Sequence, residues 1–301
     1  MKGLLKHKNW LIALGVLLGL ILILVILNFT LFALRDVEID FKNQSTIFSD
    51  EAQENIANNS AISRGTSVFA LNKTYIKEQL ERDNPYLKVI NIETVFPNKI
   101  IVHCAEREET YAIRAGESRF FICDAEFKVL NIQAHFRDDQ YNAILFEGLE
   151  NIITNANRVN AGEFLEFGSD SKLLTSLGQA LLENNKTIAQ QRGLISTITL
   201  SSSIYPFTAT NLPFFEIRDF NGFITNIYKP DTLLAEKFQY MFATLSQVVY
   251  NPSVFFAKDI EEGNITLEQI EEDYYLDYTL DIMENNQGAL VIRLDKLNQS
   301  V

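Results

Sequence analysis

The chain opens with a stretch in which polar positions almost vanish. Trp10 to Leu27 is an unbroken apolar run, and after Asn28 the segment Phe29 to Leu34 extends it with a single threonine. As a helix rising about 1.5 Å per residue, such a run crosses a bilayer core of about 30 Å. The pattern predicts a membrane span over residues 10–34. A cleaved signal peptide is the alternative, but it would have a shorter apolar region, about 7–15 residues, and a small-x-small cleavage site. Phe29 to Leu34 offers no convincing Ala-x-Ala, so the span reads as an uncleaved anchor. Lys2, Lys6 and Lys8 precede it with no acidic residue. Basic residues before a span favour a cytoplasmic N-terminus. Residues 1–9 are then a cytoplasmic stub, Trp10 suits one interface, and everything from Arg35 onward lies outside the cytoplasm.

Beyond the span the periodicity changes. Val37-Glu-Ile-Asp-Phe41 alternates and predicts a half-buried strand. Ser49 caps a short helix to about Asn58, with Asp50 and Glu51 in its first turn where the helix dipole favours them. Asn72 caps a second helix over about Lys73–Arg82, which Asn84-Pro85 stops. Strands Val89–Val95 and Lys99–Glu106 follow around Pro97-Asn98. The order is β-α-α-β-β, with an expected core of Val37, Ile39, Ile56, Phe69, Ile76, Leu80, Ile92, Ile100 and Val102.

From about Glu108 the pattern becomes short strands with polar connectors. Ser118–Leu130 reads as two strands around a turn and Ala143–Gly148 as another strand. Lys172–Asn184 is an amphipathic helix with Leu173, Leu174, Leu177 and Leu181 along its apolar face. Ile195–Leu200 and Phe214–Phe220 are strands. Asn221-Gly222 signals a two-residue hairpin turn into Phe223–Tyr228. Thr232 to about Tyr250 is a long helix with Leu234, Phe238, Met241, Leu245 and Val249 on one face. Residues 251–274 read as an acidic insertion, with a capping box at Thr266 and Gln269. Tyr275–Met283 and Ala289–Leu294 form a terminal hairpin over Asn285-Asn-Gln-Gly288.

Several ordered pieces resemble the FtsQ/DivIB family of bacterial division proteins, in particular its POTRA domain. They are Val37-Glu-Ile39 just after a single anchor, Ile62–Leu71, Asn84-Pro-Tyr-Leu-Lys-Val89, Val95-Phe-Pro-Asn-Lys-Ile-Ile-Val102, and Ala105–Glu108 followed by Tyr111-Ala112. Further on, the series of strand, Gly turn, strand and helix resembles the second half of that family's external region, including a lysine in the helix, Lys237. Phe127 stands where the family usually has glycine, and Met283 replaces a usual basic residue after Leu280-Asp-Ile282. The resemblance implies an α+β fold: one N-terminal transmembrane helix, a POTRA domain over 35–108, a β-rich domain of mixed sheet with two longer helices over 109–295, and a tail at 296–301. It also implies coiled-coil division partners of the FtsL and FtsB/DivIC type, indirect control of the septal FtsW/transpeptidase pair, and localisation at the plasma membrane and septum.

Charge narrows the function classes. The chain carries 26 basic and 39 acidic residues, net −13. Setting aside the three anchor lysines leaves 23 basic against 39 acidic, net −16. A nucleic-acid binder needs a basic stripe over phosphates, which is missing. Two cysteines, Cys104 and Cys123, lie in apolar, strand-like runs and read as buried free thiols. His103, Cys104, Cys123 and His135 lack any recognised zinc spacing. No nucleophile elbow, metalloprotease motif or P-loop is present, and no cofactor is expected. Glu106-Glu108-Glu109 and Glu271-Glu272-Asp273 could supply a carboxylate pair to a cell-wall hydrolase, but clustered carboxylates usually form a solvated surface.

The reading is a non-enzymatic scaffold anchored in the bilayer through residues 10–34. The alternatives are a membrane-anchored hydrolase or a POTRA-bearing transport module. An edge strand can accept an extended segment of another chain. In the family the last strands are where the FtsB/DivIC-type partner docks. The expected partner edge is therefore Tyr275–Met283 with Ala289–Leu294, using Tyr275, Tyr278, Leu280, Ile282, Ala289, Val291 and Arg293. The competing reading is that this hairpin merely closes the sheet and its side chains are core.

Overall fold

The computed structural model describes residues 2–42, 45–59, 62–116, 119–136, 143–184, 187–263, 266, 268, 270 and 278–296. The chain divides into two compact units, Met1–Arg107 and Glu108–Val301.

In the first unit α1 runs over Lys2–Thr30. Its part Ile12–Thr30, 19 residues, is long and apolar enough to cross a membrane, and none of it is buried in protein. The span ends earlier than the apolar pattern suggests. Leu34 is buried in the first unit's core. Its N–H donates to the Thr66 carbonyl and its carbonyl accepts from Gly65, each at 2.9 Å. The last apolar residues of the run thus belong to the folded unit.

The rest of this unit is β1 (Asp36–Phe41), α2 (Asp50–Asn59), α3 (Lys73–Asp83), β2 (Leu87–Val95) and β3 (Lys99–Glu106). β3 is central, parallel to β1 and antiparallel to β2. α3 starts where the Asn72 side chain accepts the Tyr75 N–H at 3.1 Å, and it stops at Asn84. The core holds Val37, Ile39, Ile76, Leu80, Ile92, Ile100 and Val102, with Ile56 packed at its margin. Phe69 is not in it: that residue is 63% exposed and the neighbouring Val68 is buried instead. The Val68 N–H donates to the Phe32 carbonyl at 2.9 Å. Val68 and Phe69 are the two middle residues of a turn that the Ala70 N–H closes on the Ser67 carbonyl at 2.9 Å, and the bond to Phe32 turns Val68 inward while Phe69 stays out. Arg107 and Glu106 do not pair with each other. Arg107 is buried against Glu81 at 3.0 Å, while the Glu106 carboxylate accepts from Ser45, Thr46 and Ile47.

The second unit contains β4 (Tyr111–Arg114), β5 (Phe120–Cys123), β6 (Val129–Gln133), β7 (Ile144–Glu147), α4 (Ser171–Leu182), α5 (Ile188–Arg192), β8 (Ile195–Ile204), β9 (Asn211–Asp219), β10 (Ile224–Tyr228) and α6 (Leu234–Tyr250). Two short helices, α7 (Pro252–Phe255) and α8 (Ala257–Glu261), lead towards β11 (Tyr278–Glu284) and β12 (Leu290–Lys296). The described strands form one mixed sheet in the order β12-β11-β10-β9-β8-β7-β4-β5-β6. β7 is parallel to β4 and β8, and β10 is parallel to β11. Leu174, Leu177 and Leu181 of α4 and Phe238, Met241 and Leu245 of α6 join Phe146, Ile198, Phe215, Leu280 and Ile282 in one core. The segment read as an acidic insertion sends Phe256 and Ile270 into that core; its residues 271–274 lie outside the described ones. Gly178 allows α4 to approach the β5–β6 turn, because a Cβ there would lie 2.3 Å from the Ala125 carbonyl oxygen.

Two loops of this unit share one device. Asp219 accepts the N–H groups of Asn221 and Phe223, and Asp124 those of Glu126 and Lys128. The fourth residue of each has positive φ, 89° at Gly222 and 61° at Phe127. The Asp219 N–H donates to the Phe223 carbonyl at 3.1 Å, so this closing pair encloses three residues, Phe220 to Gly222, rather than the two-residue turn that Asn221-Gly222 suggests. A left-handed third loop residue is the usual closure for that length. Phe127 occupies the strained position without glycine's freedom, and stacks on Tyr111 with ring centroids 5.0 Å apart.

Candidate functional site

Among the described residues β12 ends the order of the large sheet and pairs with β11 alone. Its register sets Glu284 opposite Leu290, Ile282 opposite Ile292 and Leu280 opposite Leu294. The Asn285–Gly288 turn is held by the Asn285 side chain, which accepts from Gln287 and Ala289 at 2.9 and 3.0 Å, and Gly288 takes φ 78°.

The proposed contact residues separate by burial. Leu280 and Ile282 are buried core residues, so they hold β11 in place and offer no surface. Ala289 is exposed at the turn, Val291 is half-buried, and Arg293 is exposed. Tyr278 is half-buried, its ring 5.8 Å from that of Phe256. Tyr275 lies outside the described residues. Ile292 was not among the expected contacts, yet it is 42% exposed on the edge strand. Strand parity alone does not find it, since alternation sets Ile292 on the face opposite Val291 and Arg293, across from the buried Ile282. An apolar edge with an unpaired row of backbone groups is a template for another strand.

Beneath the edge lies a charged network. The Arg293 guanidinium contacts Asp281 at 3.4 Å and also Asp295. Asp281 is buried and accepts from the Asn226 side chain at 2.9 Å. Burial pushes the Asp281 carboxyl above its ordinary value, although Asn226 and Arg293 oppose this.

At the turn end of β11 a second network anchors the hairpin. The Lys237 side chain of α6 is 0% exposed, and its ammonium donates to the carbonyls of Tyr228, Lys229 and Thr232 at 3.0, 2.8 and 2.7 Å. It reaches the Glu284 carboxylate at 2.6 Å, and the Thr232 hydroxyl donates to the same oxygen. A buried charge is tolerated only when paired and hydrogen-bonded. Burial draws the lysine below its ordinary value. Burial also pushes Glu284 up, but the donors from Lys237 and Thr232 outweigh it and hold the carboxyl below its ordinary range. The Tyr205 hydroxyl, buried, donates to the Glu284 carbonyl and accepts the Glu284 N–H at 2.9 Å.

The remaining chemical candidates are dispersed. Cys104 is buried in the first unit and Cys123 in the second, both as free thiols. Burial pushes the Cys104 thiol up to about 12. His103 faces outward between Asp40 (2.8 Å) and Glu93 (3.2 Å), and His135 is exposed. No group of three metal-ligating side chains occurs among the described residues. Burial pushes Glu106 up, but the donors from Ser45, Thr46 and Ile47 outweigh it and leave its carboxyl below the ordinary value, the opposite of what a general acid needs. Residues 271–273 lie outside the described ones.

Comparison with known proteins agrees with the first unit's architecture. Residues 33–107 match the model of the POTRA domain, FtsQ-type. The chain is 34% identical over 80 residues to the cell division protein DivIB of Clostridium acetobutylicum, covering 27% of this chain and 31% of that protein. It is 35% identical over 78 residues to DivIB of Clostridium tetani, covering 26% and 29%. The matches thus span under a third of these relatives.

Proposed function

We propose, from the premise that this chain carries an FtsQ-type POTRA domain and is through it a relative of the DivIB proteins, that it is a non-enzymatic scaffold of the bacterial division machinery. The observation that carries the reading is the position of that domain: β1 begins six residues after an apolar helix long enough to span a membrane. The N-terminus is cytoplasmic, and the POTRA domain and the second unit stand outside the cytoplasm at the septum. There they gather FtsL-type and FtsB/DivIC-type coiled-coil proteins and through them influence the FtsW/transpeptidase pair. The docking edge is β12, with Ala289, Val291 and Arg293 as contacts and the half-buried Tyr278 beside them. Ile292 joins them by its exposure. Main-chain pairing supplies affinity along such an edge and alternate side chains supply specificity.

Depletion should make cells filament, and a fluorescent fusion should gather at the septum. Normal division with a uniform membrane signal would remove the proposal. A chain truncated after Gln287 lacks β12. If it folds by circular dichroism yet binds the coiled-coil partner at full affinity, the edge is not the docking site.

A further inference from the structure

The POTRA unit has an open aromatic cluster at one end. Phe69 and Phe96 are 63% and 60% exposed. The Phe32 ring centroid lies 5.1 Å from that of Phe69 and 6.4 Å from that of Phe96, and the latter two are 5.3 Å apart. Three chain segments meet there: the exit of α1, the loop before α3, and the β2–β3 hairpin tip. Backbone bonds fix them together. Val68 N–H donates to Phe32 O at 2.9 Å, and Arg35 N–H donates to Asn98 O at 2.8 Å. The Ser67 hydroxyl donates to the Asn28 side chain of α1 at 2.6 Å.

We infer that this cluster is a bilayer-docking surface: Phe69 and Phe96 enter the outer headgroup zone beside the anchor and seat the POTRA unit on the lipid. The inference rests on the reading of α1 as a membrane span. The 19 residues Ile12–Thr30 rise about 28 Å as a helix, which fills a hydrocarbon core of about 30 Å. Phe32 follows two residues later, at the start of a headgroup zone about 5–8 Å deep on each side. The Phe69 and Phe96 ring centroids, 5.1 and 6.4 Å from that of Phe32, are no farther from it than about the depth of that zone. Phenylalanine is among the side chains that bury at this boundary.

Charge agrees with depth. In a chain of net −13, the segments 28–35, 65–72 and 95–99 contain no aspartate or glutamate, and they contain Arg35 and Lys99. The Arg35 guanidinium donates to the Thr30 carbonyl at the end of α1, 3.2 Å away, and so stands at the level of lipid phosphates. A protein this acidic is repelled by an anionic lipid surface over most of its area. The carboxylates that adjoin this rim, Asp36 and Glu38, both pair with Lys99.

The test uses the full chain in phosphatidylcholine vesicles with lipids brominated near the headgroup end of the acyl chains. Trp10 is the chain's single tryptophan, so Phe69→Trp and Phe96→Trp are read in a Trp10→Phe background. Ile90→Trp, exposed on β2 six residues before Phe96, is the control within the same unit. Circular dichroism confirms that each variant is folded. The tryptophans at positions 69 and 96 should emit to the blue of the control and lose most of their intensity to the brominated lipid, while the control loses little. If they emit like the control while Trp10 of the unaltered chain is quenched, the anchor stands and the docking surface falls. If Trp10 is not quenched either, the anchor reading falls and takes this inference with it. Disulfide crosslinking between Phe69→Cys chains without lipid quenching of the tryptophan variants would assign the cluster to a second copy and overturn the proposal.

Discussion

The two units place phenylalanine differently. The second leaves Phe164 and Phe220 exposed but encloses many others: Phe121, Phe146, Phe215 and Phe238 are fully buried, and Phe146 touches Tyr111, Phe127 and Phe215 ring to ring. The buried core of the first contains aliphatic side chains and Cys104 but no ring among the described residues. Its Phe32, Phe69 and Phe96 touch one another at an open end. A large mixed sheet under two helices has room to bury rings. A three-stranded sheet with two short helices closes its core with valine, leucine and isoleucine, keeps Phe41 and Phe48 at its margin and leaves Phe69 and Phe96 outside. Composition alone therefore does not say what a phenylalanine is for; the size of the sheet beneath it does.

The contrast can be broken at several points. The largest effect should come from Phe146→Ala, since removing a buried phenylalanine costs about 3–5 kcal/mol. Urea unfolding of the full chain in detergent, followed by near-ultraviolet circular dichroism, should show the second unit's transition moved well down. A loss below about 1 kcal/mol would mean that this core is not close-packed around its rings.

Glu284→Gln comes next. It keeps the shape but removes the charge that faces the buried Lys237, and a hydrogen bond to a charged group contributes about 1.5–3 kcal/mol. The same variant sharpens the acid response. Glu284 is held below its ordinary 4.5 in the folded protein. Its contribution is therefore present above pH 4.5 and is lost as pH falls through the lower folded value. Acid unfolding should be less steep in Glu284→Gln than in the parent chain.

Phe69→Ser should change fold stability by no more than about 0.5 kcal/mol, as surface substitutions do. A loss of several kcal/mol in thermal unfolding would return Phe69 to the core and erase the contrast between the units.

The smallest effect belongs to His103. Hydrogen bonds to Asp40 and then Glu93 raise its pKa above the ordinary 6.5. Its stabilising contribution is thus complete below pH 6.5 and is lost as pH rises through the folded value. All three side chains are part-exposed, so salt should weaken the effect. Melting curves across neutral pH at low salt should fall slightly with rising pH, and His103→Gln should flatten that slope.

Much of the fold was legible because alternation reports burial directly. Val37-Glu-Ile-Asp became β1, and Ile100, Val102 and Cys104 share the buried face of β3. Phe69 was misread because Val68-Phe-Ala-Leu offers four apolar residues in a row, so parity carries no information there. The hydrogen bond from Val68 to Phe32, 36 residues away, decides which side chain turns inward. The span end was misread for the same reason, as Leu34 is apolar in either environment. The terminal hairpin was visible in its Asn-Asn-Gln-Gly turn. The charged anchor beneath it was only half visible: Lys237 interrupts the apolar face of Leu234, Phe238 and Met241, a signal in itself. Its partner Glu284 lies 47 residues further on, and no local pattern links them.

The parallel pairing of β10 with β11 has a consequence in time. The strands β7 to β10 precede β11 and β12 in the chain, and the crossover from Tyr228 to Tyr278 separates them. Domains form from the N-terminal side as synthesis proceeds. A chain halted within that crossover exposes the rim of β10, with Thr225 and Ile227, which are buried once β11 arrives. A partner that reads β12 therefore engages only chains translated through their last described strand.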